Sequence, residues 1–227
     1  RHRVFLMEAF LYRCHPQTDA LARLVHDGAI GRLRHVEVSF CLDRPFDPAH
    51  RLFDRRLGGG AILDLGCYPA SFARRMAGAA LGRFVAEPVG LDAAGRLHPV
   101  TLADETATAT LRFPGGLTAA LACGTIGRHE VSARLHGTAG WIDVPAPFAP
   151  GSPGLPDWIR LHRPGRRALC LAHPAPASHF ALEMDVVGEA VRRGRREAAE
   201  MTWADSLGNA AVLDAWRGAV GVRYAGD

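Results

Sequence analysis

Apolar and polar positions divide the chain into a strand-rich middle flanked by helical ends. Leu21, Leu24 and Val25 recur at helical spacing after "YRCHPQ", which predicts a helix over about Gln17–His26, ended by Gly28 and Gly31. "RHVEVSF" (Arg34–Phe40) alternates Val36, Val38 and Phe40, the pattern of a half-buried strand. Three pairs of alternating segments then flank turn sequences: "ETATATLRF" and "LTAALACG" around "PGG", "EVSARLHG" and "WIDV" around "GTAG", "WIRLH" and "RRALCL" around "RPG". Each reads as a hairpin. The stretch "PAPFAPGSPGLP" is too rich in proline for a central strand and reads as a surface loop. Two helices close the chain. One spans about His179–Arg193 with Phe180, Met184, Val187 and Val191 on one face, and the other opens at "TWAD", a capping box with Asp205 in the acidic position.

Between the first strand and the first hairpin lies "RLGGGAILDLGCYPASFARRMAG". Ile62, Leu65, Pro69, Phe72 and Met76 form an apolar stripe at helical spacing. Asp64, Tyr68, Ser71 and Arg75 form a second stripe on another face. Asp64 and Tyr68, one turn apart, are side-by-side neighbours that face either solvent or a ligand. "VFLMEAF" (Val4–Phe10) is a near-continuous apolar run, the pattern of a strand buried on both faces of a parallel sheet. Nothing nearby supplies that sheet, so it reads as the last strand of a domain lying upstream, with Glu8 paired or near a cleft. The expected architecture is therefore α+β: an open, largely antiparallel sheet with helices on one face, preceded by one leftover strand. The division falls at residues 1–12 and 13–227.

Composition narrows the function classes. With 227 residues, 48% hydrophobic and 22% charged, the chain has the make-up of a globular protein with a full core. No apolar run approaches the roughly 18 residues of a membrane span, and no signal region opens the chain. The expectation is a cytoplasmic protein without membrane contact. The five cysteines are scattered, with no C-x-x-C pair, which argues against a disulfide framework or structural zinc. All 27 basic residues are arginine, which excludes a catalytic or phosphate-loop lysine within these residues. "RRGRR" (Arg192–Arg196) sits where a helix ends at Gly194 and complements its dipole, so no nucleic-acid partner is expected.

The chain lacks G-x-S-x-G, H-E-x-x-H, a clustered acidic loop and histidines at metal-ligand spacing, so no metal site is expected. It also lacks G-x-G-x-x-G. "GGGAILDLGCYP" resembles the G-G-G-x-L-x-D-x-G-x-[H/Y] signature of the Gfo/Idh/MocA oxidoreductases. "FLMEAFLYRCHPQ", "DETATATLRFPGG" and "HGTAGWIDV" match further blocks of that family in the same order. The tyrosine in the signature points to the dihydrodiol and D-xylose dehydrogenase branch. The resemblance implies an enzyme using NAD or NADP, with an N-terminal Rossmann domain for the cofactor and a C-terminal domain that closes over the substrate and often dimerises through its sheet. This chain then corresponds to the C-terminal domain plus the last Rossmann strand. The glycine fingerprint, the E-K-P lysine and most cofactor-binding residues are expected upstream of Arg1.

The resemblance implies Tyr68 as general acid/base, its high intrinsic pKa offset by that lysine, with Asp64 orienting a substrate hydroxyl. Gly66 between them keeps bulk away from the ligand. Without the other blocks, Tyr68 reads equally as an interfacial aromatic and Asp64 as a helix-entry residue. Arg13 and His15 leave the first strand at its carboxyl end, where open parallel sheets place ligands, and serve either substrate contact or hinge packing. His179, at the start of a helix, reaches the same cleft. Two functions remain. The first is a dehydrogenase acting on the CH–OH of a sugar, polyol or trans-dihydrodiol, its small-molecule substrate held by a homodimer. The second is a non-catalytic truncated paralogue that keeps the fold and dimerises.

Overall fold

Turn chemistry fixes the middle of the chain. The computed structural model describes residues 4–127 and 130–224. Arg1, where the expected leftover strand segment begins, lies outside the described residues. Three of the antiparallel pairings are the hairpins expected: β3 (Asp104–Arg112) with β4 (Thr118–Gly124), β5 (Ser132–Gly137) with β6 (Gly140–Val144), and β7 (Trp158–His162) with β8 (Leu169–Ala172). They join β1 (Leu33–Cys41) and β2 (Gly90–Leu97) in an eight-stranded sheet ordered β2-β3-β4-β1-β5-β6-β7-β8. Only the β1–β4 pair is parallel, so the sheet is antiparallel apart from its centre. Sequence periodicity missed β2, "GLDAAGRL", whose small residues and glycines carry no alternation.

The pleat sorts residues row by row. Leu111, Ala119, Val36, Leu135, Ile142 and Leu161 are successive cross-strand partners, and all are buried. Against this face pack α2 (Cys67–Ala80), on β1 and β4, and α4 (Trp203–Val220), on β2. One residue along, the partners are Thr110, Ala120, Glu37, Arg134, Asp143 and Arg160, on the open face. The Ala, Thr, Val and Leu of the hairpin strands predict an apolar face on both sides of the sheet; this one carries instead small residues and a ladder of alternating charge, in which Arg134 bonds Asp143. Asp143 also meets His162 at 2.9 Å.

Local signals start and stop the helices. α1 (Pro16–His26) has Pro16 at its first position and the His15 ring as N-cap. The Ser178 side chain caps α3 (His179–Arg192), and Thr202 caps α4 by accepting from the Asp205 amide at 3.2 Å. The acidic half of the expected capping box is absent, because the Asp205 carboxylate turns into the core. Phe180, Met184 and Val191, the apolar stripe of α3, lie exposed. Val4–Phe10 forms no strand. Its Leu6 amide donates to the Arg196 carbonyl at 3.0 Å and its Leu6 carbonyl accepts from the Trp203 indole at 3.0 Å. Glu8, expected to be paired or near a cleft within a buried strand, is exposed. No parallel strand lies beside the run among the described residues.

Buried charge ties the helical layer to the N-terminal segment. Asp205 Oδ1 accepts from Arg74 at 2.5 Å, and its Oδ2 lies 3.1 Å from Arg13; none of the three side chains is more than 1% exposed. Arg74 also reaches the half-exposed Glu87. Breaking a buried pair strands charge in the core, so Asp205→Ala is expected to cost about 3–5 kcal/mol. Glu87→Gln, at the wet end, should cost below about 1 kcal/mol. Chemical denaturation of both variants checks this; equal losses would show that Asp205 does not hold the network.

Candidate active site

The glycine-led segment enters α2 through a wide turn. Ile62–Gly66 forms a π-helical turn that runs directly into α2. Such turns are intrinsically unfavourable and recur at functional sites. The chain reaches it through a passage with no room for side chains. A Cβ on Gly59 would stand 2.4 Å from the Arg51 carbonyl oxygen and 2.8 Å from those of Leu52 and Asp54. Gly66 serves the core rather than the ligand side expected for it: a Cβ there would lie 3.1 Å from Cys123 Sγ and from the Trp216 ring.

The apolar stripe is buried as expected, with Ile62, Leu65, Phe72 and Met76 in the core. The second stripe divides. Asp64 and Tyr68, at its start, are half-buried, whereas Ser71 and Arg75 are buried. The Asp64 carboxylate pairs with the exposed Arg51 guanidinium at 2.6 Å. The Tyr68 ring sits among aromatics, with centroids at 5.2 Å from Phe10, 5.2 Å from Phe40 and 5.4 Å from Phe148, all tilted toward edge-to-face. Burial first, then the negative charge available to Cys67, Asp64 and Glu183, pushes its phenol up to about 12. The groups around it hold the proton on.

Glu183 escaped the sequence reading. It lies on α3, which packs against the short turn Leu11–Cys14, and is buried with Oε1 lacking a hydrogen-bond partner among the described residues. Burial raises its pKa. Its position on a helix with an evident apolar stripe gave no signal, because the stripe faces out and this acid faces in.

Arg13 is not open to a substrate. Its side chain donates to Ser71 Oγ at 2.8 Å, the Ser71 carbonyl at 3.2 Å and the Tyr12 hydroxyl at 3.0 Å, and pairs with Asp205. It therefore anchors α2 three residues beyond Tyr68. His15 is buried too: its Nδ1 accepts from the Gln17 amide at 3.1 Å, and Nε2 has no partner among the described residues. His179 Nδ1 lies 3.3 Å from Ser152 Oγ, against the proline-rich loop, and its ring contacts Phe180. His15, His173 and His179 are electrostatic neighbours. No hydrogen bond or ring contact among the described residues joins them to Tyr68 or Asp64. The structure thus brings Asp64 and Tyr68 together; Arg13 bonds Tyr12, whose ring centroid lies 6.3 Å from that of Tyr68, while His15 and His179 make no hydrogen bond or ring contact with either among the described residues.

No group of three or more histidine, cysteine or acidic residues suited to a metal occurs among the described residues. No helix is long and apolar enough to cross a membrane. Among the described residues no G-x-G-x-x-G loop leads from a strand directly into a helix N-terminus, the arrangement that holds a pyrophosphate. The cofactor-binding residues expected upstream of Arg1 fall, like Arg1 itself, outside the described residues.

Burial, then the neighbouring histidines, lowers the pKa of His15 from 6.5. A depressed histidine contributes stability that is full above the unfolded value and lost as pH falls below it. His15→Asn keeps an N-cap acceptor and removes the titration. The variant is expected to lose less stability than wild type between about pH 7 and 5, around the ordinary histidine pKa. Parallel denaturation curves at the two pH values check it; identical losses would count against a buried neutral His15.

Residues 18–143 match the model of the GFO/IDH/MocA C-terminal domain. An uncharacterised oxidoreductase, ORF334, of Rhizobium meliloti is 34% identical over 92% of this chain and 60% of its own length. The trans-1,2-dihydrobenzene-1,2-diol dehydrogenase of Mus musculus is 30% identical over 99% of this chain and 64% of its own. This chain thus spans under two thirds of those relatives. An aldose-aldose oxidoreductase from Caulobacter crescentus, solved with glycerol, superposes with a TM-score of 0.79 at 25% identity, covering 96% of this chain and 62% of that one. A 3-ketoreductase from Actinomadura kijaniata, solved with NADP and TDP-benzene as a tyrosine-to-phenylalanine variant, gives 0.79 at 27%, covering 96% and 63%. On its sequence blocks, its α+β sheet and the family match, the chain belongs to the Gfo/Idh/MocA oxidoreductases as their C-terminal domain.

Proposed function

We propose that this chain is the substrate domain of an NAD- or NADP-dependent dehydrogenase acting on the CH–OH group of a sugar, polyol or trans-dihydrodiol. The observation that carries the reading is the Asp64–Tyr68 pair at the edge of an aromatic enclosure. Buried Phe10 and Phe148 back the half-buried rings of Phe40 and Tyr68, and a carboxylate beside them can accept a hydrogen bond from a hydroxyl. Oxidising an alcohol needs a hydride acceptor and a base for the hydroxyl proton. These residues supply groups for the second need only. Tyr68 takes the proton on its phenol oxygen, and Asp64 exchanges Arg51 for the substrate hydroxyl. A phenol held near 12 requires a positive charge beside it to ionise at neutral pH. The family's E-K-P lysine, on a cofactor domain outside this chain, fits that need.

The surface supports a second domain. Leu6, Phe180, Met184, Val191 and Leu207 are exposed apolar side chains on the N-terminal segment, α3 and α4. A cofactor domain against them would also give Val4–Phe10 the parallel neighbours it lacks here. The paralogue reading draws on the missing dinucleotide cradle. NADP turnover by the full-length protein separates the two.

In the full-length enzyme Tyr68→Phe removes only the hydroxyl and is expected to lower kcat by about 100- to 10,000-fold, the worth of a positioned acid/base. Asp64→Asn should chiefly raise KM and blur discrimination among hydroxyl stereoisomers. Turnover of aldoses, polyols and dihydrodiols at equal folded concentration is the assay; a Phe variant that keeps more than about a tenth of the rate excludes Tyr68 as proton carrier.

We infer further that two copies pair through the open sheet face. The charges of Glu37, Arg134, Asp143 and Arg160 alternate across it, so a second copy can set acid against base. Light scattering is expected to give a dimer at low salt that weakens as salt rises; a monomer at high micromolar concentration in low salt rejects the pairing.

A further inference from the structure

We propose that Asp104 is the positioning residue of the site, fixing the π-helical turn that carries Asp64 and leads into Tyr68 on α2. Asp104 is the first residue of β3, buried, and lies across from the glycine passage. Its Oδ2 accepts from the Ile62 amide at 2.6 Å, at the first residue of the turn. An amide at that point has no partner within the helix, and a charged acceptor is among the strongest it can find. The other oxygen, Oδ1, is buried without a hydrogen-bond partner among the described residues and presses on the main chain at Gly60. A Cβ on Gly60 would stand 2.1 Å from it, and Gly60 has φ +136°, which glycine adopts freely. The third glycine of the motif therefore leaves room for the Asp104 carboxylate.

A π-helical turn has poor intrinsic stability and persists where its surroundings over-determine it. Here one end is pinned by Asp104, while Gly66 at the other end is pressed against Cys123 and Trp216. Asp64 and Tyr68 are carried between and just beyond these anchors. Asp104 touches no reacting atom in this arrangement. Burial raises its pKa, and the Ile62 amide draws it back.

The catalytic part of the inference rests on the dehydrogenase reading, so the test has two arms. In this chain, hydrogen exchange is followed over Ala61–Tyr68 in wild type, Asp104→Ala, Asp104→Asn and Gly60→Ala. Loss of one bond to a charged acceptor should speed exchange there by about 10- to 100-fold in Asp104→Ala, with β5–β8 unchanged. Asp104→Asn, which keeps an oxygen acceptor, should restore much of the protection. Gly60→Ala should reproduce the loss, and because its φ of +136° strains any side chain there, it is read against the Gly60→Ala, Asp104→Ala double variant, which should add little to the single ones. If Asp104→Ala fails to fold, the Asn and Gly60→Ala variants decide. Tyr68 is titrated by absorbance, with Tyr68→Phe as the blank, and should move down from about 12 when the turn loosens. In the full-length enzyme Asp104→Ala should lower kcat while leaving KM for the nicotinamide unchanged, and Asp104→Asn should recover much of the rate. Unaltered exchange over Ala61–Tyr68 and an unmoved Tyr68 titration overturn the proposal. Faster exchange with unchanged kcat in an active wild type overturns it as well. An inactive wild type refutes the dehydrogenase reading instead, and the exchange and titration arm still decides whether Asp104 holds the turn.

Discussion

The structure depends on one carboxylate held between two guanidinium groups out of reach of water. Asp205, on α4, meets Arg74, on α2, and Arg13, in the turn before α1. Ions in a core are expensive unless each meets its opposite in good geometry, so the three side chains hold their elements in one arrangement. Arg13 passes the constraint to Ser71, which also accepts from the Tyr12 hydroxyl at 2.8 Å. The helix bearing the candidate catalytic tyrosine is thus fixed along its first two turns by polar bonds, and below by the row of aliphatic side chains from β1 and β4. Rigid support of this kind is what a site must have to keep a hydroxyl and a carboxylate in register.

Within that frame the chain supplies shape and hydrogen bonding and withholds charge. Phe10, Phe40 and Phe148 surround the Tyr68 ring, and acids stand nearby. Such surroundings keep a phenol protonated. On the proposed dehydrogenase reading, the cation that would ionise this phenol comes from a second domain, and closure of the two would then be a requirement for chemistry.

Much of the fold was legible in the sequence, because its signals are local. "PGG", "GTAG" and "RPG" each specify a reversal within four residues, and the strands beside them alternate. The strand "GLDAAGRL" was not legible, since its place is set by pairing with β3 across the sheet rather than by its own residues. The "GGG…D…Y" segment showed its apolar stripe, but a 3.6-residue period fits a π-helical turn well enough to hide it. Arg13 and His15 read as either ligand contacts or hinge packing because a buried arginine and an open one look alike in a string of letters. Asp205 read as half of a capping box for the same reason. What distinguishes them is a partner far along the chain, and that appears only after folding.

The open sheet face holds a consequence for fidelity. Its charges change sign from one strand to the next, through Glu37, Arg134, Asp143 and Arg160, and neighbouring strands lie about 4.8 Å apart. A flat apolar face would accept another sheet at almost any offset. Here a neighbour displaced by a single strand meets like charges along the whole row, and only offsets of two strands restore the match. The face is therefore a ruler as well as a surface: it converts a small sliding error into a repulsion felt at three positions at once. The same alternation, harmless to a correct mate, discourages the stacking of stray sheets during synthesis, when a wide β surface is most exposed to the wrong company.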